Sequence, residues 1–305
     1  MITLLDQDAA VFALRDEWAA LYRAAPTTPF AHPDWLLPWW QQFGNAQPRV
    51  AVARTDGRLT GVLPMYALDG RCLPMGAGIT DYHDAVLAPG QDAAPLLGAI
   101  PRPLELLEVP AASPLRAMAG DWSAASPCPV LGLDGALLTI LPARTARKLR
   151  MNRNRAARAG GFTRETATAT TCPTMLEQLV RLHTARWAGQ GESGVLADPS
   201  VLAFHRQSAP LLVASGLVRL QVLCVNDAVA AACYALLAPG RILFYLSGFD
   251  ASFAEISPGT LLLAAMIEEA QDEGRHAADF LRGNEAYKYA WGGQDRMNAQ
   301  AVIRI

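Results

Sequence analysis

A chain of 305 residues, 51% apolar and carrying a net charge of only −2, is long enough for two domains and has no global field to draw it to nucleic acid or a membrane surface. Its longest apolar run, residues 228–238, covers eleven residues where a bilayer needs roughly 20, so no membrane span is expected. The N-terminal MITLLDQDAAVF has no secretory pattern, and five cysteines (Cys72, Cys128, Cys172, Cys224, Cys233) without a CxxC pair point to reduced thiols, a cytoplasmic protein and no metal site.

In chain order, apolar periodicity predicts helices over residues 8–23 and 33–43. Trp35, Trp39 and Trp40 in the second read as core packing, with sugar stacking as the alternative. RVAVARTDGRLTGVL, residues 49–63, predicts a hairpin that turns at Asp56-Gly57. Gly76-Ala77-Gly78 lacks the third glycine and later acid of a dinucleotide fingerprint. Asp81 and His83, within DYHD, are candidates for an acceptor pocket, because a histidine beside carboxylates serves as a base near neutral pH. The plainer reading of that cluster is a turn with surface charge.

Residues 144–158 then place seven basic side chains, Arg144, Arg147, Lys148, Arg150, Arg153, Arg155 and Arg158, on a helix without one carboxylate. Phosphates, an anionic polymer or tRNA would suit it, and a solvated helix at a domain junction is the bland alternative. Helices over 174–187 and 200–214 follow, the first with His183 and Arg186 on one face. RLQVLCVNDAVAAAC, residues 219–233, repeats the earlier hairpin 170 residues on, with Asn226-Asp227 at its turn. Two copies of helix, helix, antiparallel strands, helix, strand predict a duplicated α/β unit.

Residues 242–291 predict strand, turn, capped helix, strand and short helix. Ser257 reads as an N-cap, Pro258 as the first helical residue, Gly259 as room for a ligand, and Gly274 as the stop. The first turn, with Gly259 and Thr260, would offer N–H groups and the positive end of a dipole to phosphate.

HPDWLLPWWQQFG, DGRLTGVLPMY, KLR, LHTARW, GFD, SPGTLLL and DFLRGNEAYKYAW occur in this order over nearly the whole chain. Together they resemble the CelD/BcsL group of GNAT-related acetyltransferases, similar in architecture to the FemABX amino-acid transferases. The resemblance implies mixed α+β sheets in two GNAT-like domains, in tandem around a cleft: residues 1–140, a basic connector 141–165, and 166–305 with the acyl-donor site. It implies transfer of an acetyl or acyl group from acyl-CoA to an amine or hydroxyl, in polysaccharide or cell-envelope synthesis. The donor would lie along Ser247, Gly248 and Phe249 and at Ser257, Gly259 and Thr260. Ser-Pro-Gly departs from the usual GNAT phosphate loop, which has a basic or amide residue and two spaced glycines.

By the same resemblance Tyr287 is the acid for the departing thiolate and Lys288 stands at the reacting carbonyl. Glu285 is the candidate base, and Asp279, a charge at a strand position, is the candidate orienting group. Asp81, His83, His183 and Arg186 are the acceptor-side candidates. The alternatives are aminoacyl-tRNA-dependent transfer, which the basic helix would serve, and a non-catalytic saccharide- or complex-binding protein.

Overall fold

The computed structural model describes residues 1–117, 120–189 and 191–304. The chain forms two compact units, residues 1–127 joined by the C-terminal residues from Arg296, and Cys128–Asp295. The first contains β1 (Ile2–Leu5), α1 (Asp8–Ala13), α2 (Arg15–Ala24), α3 (Pro33–Phe43), β2 (Gln47–Pro48), β3 (Val50–Thr55), β4 (Arg58–Leu63), β5 (Met65–Leu68), β6 (Arg71–Pro74), β7 (Val86–Leu87), α4 (Ala94–Ala99) and β8 (Leu104–Val109). β9 (Ser123–Gly132) leads into the second: α5 (Leu137–Ile140), α6 (Ala143–Arg158), β10 (Thr163–Thr166), α7 (Cys172–Ala188), α8 (Pro199–Ala214), β11 (Val218–Val225), β12 (Ala228–Ala238), β13 (Arg241–Phe249), α9 (Pro258–Asp272), β14 (Ala277–Asp279) and α10 (Ala286–Ala290). β15 (Gln294–Ile303) returns to the first unit.

The duplication is visible in the strand registers. In the first unit β1, β3, β4 and β7 lie side by side, and in the second β10, β11, β12 and β13 do so, each set followed in the chain by a helix and a further strand. Thr55 pairs with Arg58 across the first hairpin and Val225 with Ala228 across the second, 170 residues later. Both ladders slip at the same place, between Ala53 and Arg54 and between Leu223 and Cys224. Both turns hold two residues at positive φ, Asp56 and Gly57 in one and Asn226 and Asp227 in the other. Such turns match the right-handed twist of the strands they join, which is why Asp, Asn and Gly occupy them. The first unit differs by an inserted hairpin, β5 and β6.

In the second unit β12 explains the layering. Its sequence AVAAACYALLA is almost all small or apolar, so helices pack on both faces of the strand. Cys233 and Ala235 point toward α9, and Tyr234 between them points the other way to His205 of α8. Leu261, Leu262, Met266 and Ile267 of α9 are at most 1% exposed. Each contributes about 1.5–3 kcal/mol by burial. Helix α6 packs on α9 through Leu149 and Ala156, which keeps its basic residues at the surface.

The first unit has its own core, built from Leu63, Met65, Leu96, Leu104 and Leu106. Trp35, Trp39 and Trp40 are all buried, as core packing requires, with Trp35 Nε1 donating to Thr80 Oγ1 at 2.9 Å and Trp40 Nε1 to Asp8 at 2.9 Å. They offer no exposed platform to a sugar. All five cysteines are buried. Among the described residues, no helix is long and apolar enough to cross a membrane, and no three His, Cys, Asp or Glu side chains gather as metal ligands.

Candidate functional site

β13 and β14 begin as a parallel pair and then part. Their register runs Arg241 with Ala277, Ile242 with Ala278 and Leu243 with Asp279, where β14 ends while β13 continues to Phe249. Just beyond that point the ladder to β12 slips: Ala235 pairs with Phe244 and Tyr234 with Leu246, so Tyr245 is an extra residue on β13. A bulge of this kind bends its strand and increases its twist. The consequence is an open strand edge over residues 244–249.

A pocket of about 390 Å³ fills this opening. Phe244, Tyr245, Leu246, Ser247 and Phe249 line it from β13, Ala232 and Cys233 from β12, and Ser257, Pro258, Gly259, Thr260, Leu262 and Leu263 from the start of α9. Tyr287 and Trp291 close another side, and Lys148 of α6 and Arg186 of α7 bring the charges. Among the described residues the lining holds two cations and no carboxylate or imidazole. Most of the wall is apolar, as in sites that enclose a small ligand and fix its polar end with a few groups.

The beginning of α9 is unusual. Ser257 occupies the N-cap position in the left-handed region at φ 53°, and its hydroxyl caps nothing; it reaches back to the Ala254 carbonyl at 3.4 Å. Pro258 has no N–H, and the Thr260 and Leu261 N–H groups return to the Ser257 carbonyl at 3.0 and 3.2 Å. A Cβ on Gly259 would meet Phe249 at 3.4 Å, an ordinary contact, so the glycine keeps the pocket wall low without being forced by its backbone.

Of the predicted donor residues, Ser247, Phe249, Ser257, Gly259 and Thr260 line the pocket and Gly248 does not. Gly248 lies against α7, where an added Cβ would stand 2.4 Å from the His183 nitrogen and 2.6 Å from the Leu182 carbonyl carbon. Its missing side chain lets helix and strand approach.

The four predicted catalytic residues separate. Tyr287 faces the pocket; the residue is 41% exposed, yet burial raises its phenol above the ordinary range, and Glu285 adds to the rise. Lys288 is 2% exposed and points away from the lining. Its ammonium donates to the carbonyls of Leu281, Arg282 and Gly283 at 3.1, 2.5 and 3.4 Å and lies 2.9 Å from the Glu285 carboxylate. Leu281 is at φ +59° and Gly283 at φ +113°, so this cation gathers a tightly coiled loop. Asp279, fully buried, holds the other end of it by accepting from the Leu281 N–H at 2.9 Å and from Arg241 at 3.2 Å.

Of the residues predicted for the acceptor, Arg186 lines the pocket with its guanidinium carbon 5.5 Å from the centre of the Phe249 ring. His183 is buried one turn away and accepts from Trp187 Nε1 at 2.9 Å. Burial, reinforced by Arg186, pulls its pKa down to about 4, so it is neutral at pH 7. Asp81 and His83 belong to the first unit and are buried, not surface turn residues. The Asp81 carbonyl accepts from Asn298 at 3.0 Å, and His83 Nδ1 lies 2.9 Å from the Leu107 carbonyl. The cavity beside His83 has about 10 Å³, room for one water at most. Lys148, Cys233, Tyr245, Leu246 and Trp291 were not predicted as lining; the bulge that turns β13 leaves no mark in composition or spacing.

No curated protein matches the chain in sequence. In structure it is similar to FemX, at 12% identity and TM-score 0.66, over 95% of this chain and 96% of that one. It is similar to a conserved protein of unknown function from Bacteroides thetaiotaomicron, at 13% identity and TM-score 0.62 over the full length of both. L-PGS from Bacillus licheniformis aligns at 11% identity and TM-score 0.59, over 94% of this chain and 91% of that one. At these identities the likeness is one of fold. The chain has the mixed α/β fold of FemX, and residues 143–289 of its second unit match the family described as Acetyltransferase (GNAT) domain.

Proposed function

We propose that the second unit transfers an acyl group from acyl-CoA to an amine or hydroxyl, with the pocket beside β13 as the donor site. The observation that carries this reading is the parting of β13 from β14 over an apolar pocket that ends at the first turn of α9. A thioester arm entering there meets a strand edge whose N–H groups are open to a carbonyl oxygen, and its phosphates meet a helix end. The family match of residues 143–289 supports the same reaction class. The resemblance of the ordered motifs to the CelD/BcsL group favours an acceptor from polysaccharide or envelope synthesis.

In the proposed reaction the acceptor nitrogen or oxygen attacks the thioester carbonyl and a backbone N–H of β13 stabilises the oxyanion. The tetrahedral intermediate collapses, the carbon–sulfur bond breaks, and the thiolate takes the proton of Tyr287. A phenol held above its usual range stays protonated at neutral pH, as an acid must. The acceptor's proton passes to water, since Glu285 is paired with Lys288 outside the lining, and the phenol is restored from solvent. Lys288, committed to three carbonyls, is a positioning residue for Tyr287 one position before it.

Calorimetry with acetyl-CoA and longer acyl-CoAs tests the reading: saturable binding is expected, and no binding at any chain length overturns it. Aminoacyl-tRNA-dependent transfer is the second reading, favoured by the FemX fold and by basic helix α6. Its mark would be tight RNA binding without CoA binding.

A further inference from the structure

The turn before α9, Ser257-Pro258-Gly259, has a single glycine and no basic residue. The structure brings positive charge to that place from a different element. Lys148 of α6 lines the pocket together with Ser257, Gly259 and Thr260. Two turns further along α6, Arg155 donates to the carbonyl of Glu255 at 3.2 Å, two residues before Ser257. Helix α6 therefore runs along the turn that opens α9.

At about 100° per residue, Lys148, Arg155, Arg144, Arg158 and Arg147 fall within an arc of about 100° on α6. All five are exposed, and the helix carries no carboxylate. Arg153 lies outside this arc and is taken by Glu268 at 2.6 Å. Ala146, Leu149, Asn152 and Ala156 are buried, so the packed face is fixed and the basic stripe is held beside the pocket mouth. An apolar pocket with two cations in its lining, continued by a cationic track, fits a ligand with an uncharged arm and several phosphates at one end.

We infer that the exposed stripe of α6, led by Lys148 and Arg155, is the subsite for the phosphates at the nucleotide end of the donor, in place of a glycine-rich loop. This rests on the acyl-CoA reading above. Phosphate recognition by several point charges is salt-dependent, which separates it from burial of the apolar arm.

The test is calorimetric binding of acetyl-CoA and of S-acetylpantetheine, which has the arm without phosphates, to the full chain and to variants. The Lys148→Gln/Arg155→Gln variant is expected to weaken acetyl-CoA at least tenfold and to leave S-acetylpantetheine unchanged. Arg150→Gln, on the other flank of α6, should change neither. Thermal unfolding should be unaltered, since all three side chains are exposed. Unchanged acetyl-CoA binding, or equal loss of both ligands, overturns the subsite and leaves the acyl-CoA reading standing. Wild-type protein that binds no CoA thioester overturns both, and RNA binding lost in the same double variant would then assign the stripe to RNA.

Discussion

The Lys288 ammonium donates to the Leu281 carbonyl at 3.1 Å, from the helix that carries Tyr287 back to the strand end where β14 stops. With Arg282, Gly283 and Glu285 on the same cation, the loop that sets Tyr287 against the pocket is closed by one buried charge. Replacing Lys288 by Met leaves buried carbonyls without their donor, at a cost of about 2–3 kcal/mol. We expect a lower melting temperature and new proteolytic cleavage within 281–285. Lys288→Arg should restore part of both. A Lys288→Met protein with wild-type melting and cleavage but no turnover would make the lysine chemical instead.

Tyr287→Phe removes the proposed proton donor and little else, because the ring remains to pack edge-on against Phe280 at 6.2 Å. Turnover should fall by about 10²-fold with donor affinity retained. Steady-state kinetics beside calorimetry checks this, and unchanged kcat would remove Tyr287 from the reaction.

Gly259 and Gly248 should respond differently to the same change. Gly259→Ala meets only ordinary contact at 3.4 Å and should preserve donor binding, whereas Gly259→Glu sets a carboxylate where phosphate is expected and should reduce affinity at least tenfold. Gly248→Ala drives a methyl into the α7 backbone and should lower stability by about 1–3 kcal/mol. Melting curves and calorimetry on the three variants separate the effects.

Acid should loosen the fold before carboxylates alone would. Burial pulls His183 down to about 4 and His205 to about 3, so the unfolded chain binds more protons than the folded one as pH falls below the ordinary histidine value. Their contribution is complete above about pH 6.5 and is lost as pH drops toward 4. Asp84, raised by burial to about 6, acts in the opposite sense, since the folded state holds its proton more tightly. Burial likewise pulls His32 down to about 4, and three imidazoles outweigh one carboxyl, so the melting temperature should fall between pH 6.5 and 4. His205→Phe should reduce that fall.

Much of the second unit was legible because its signals are local. Pro258 and Gly274 bound α9, and the turn pairs Asp56-Gly57 and Asn226-Asp227 announce hairpins whose matching registers carry the duplication. The helix expected over 8–23 is two helices meeting at Leu14, a break with no glycine or proline to mark it. Lys288 was read as a charge near chemistry because the sequence cannot show that three carbonyls curl around it. Lys148 was visible as one of seven cations, but its place in the pocket depends on how α6 packs against α9. Asp81 and His83 look exposed in a polar run and are buried, because residues from β8 and β15 close over them.

Helices α8 and α9 of the second unit begin in opposite ways. Asp198 closes the start of α8 by accepting from the Ser200 and Val201 N–H groups at 2.8 and 3.2 Å, whereas Ser257 leaves the start of α9 without a side-chain partner. On the acyl-CoA reading proposed above, a donor bound at this end couples folding to occupancy. Stability then rises with donor concentration as RT ln(1 + [L]/Kd), about 2.7 kcal/mol at a hundredfold excess over Kd. In a cell, the supply of donor would set how long this unit resists heat and proteases, so that a starved protein is also a short-lived one.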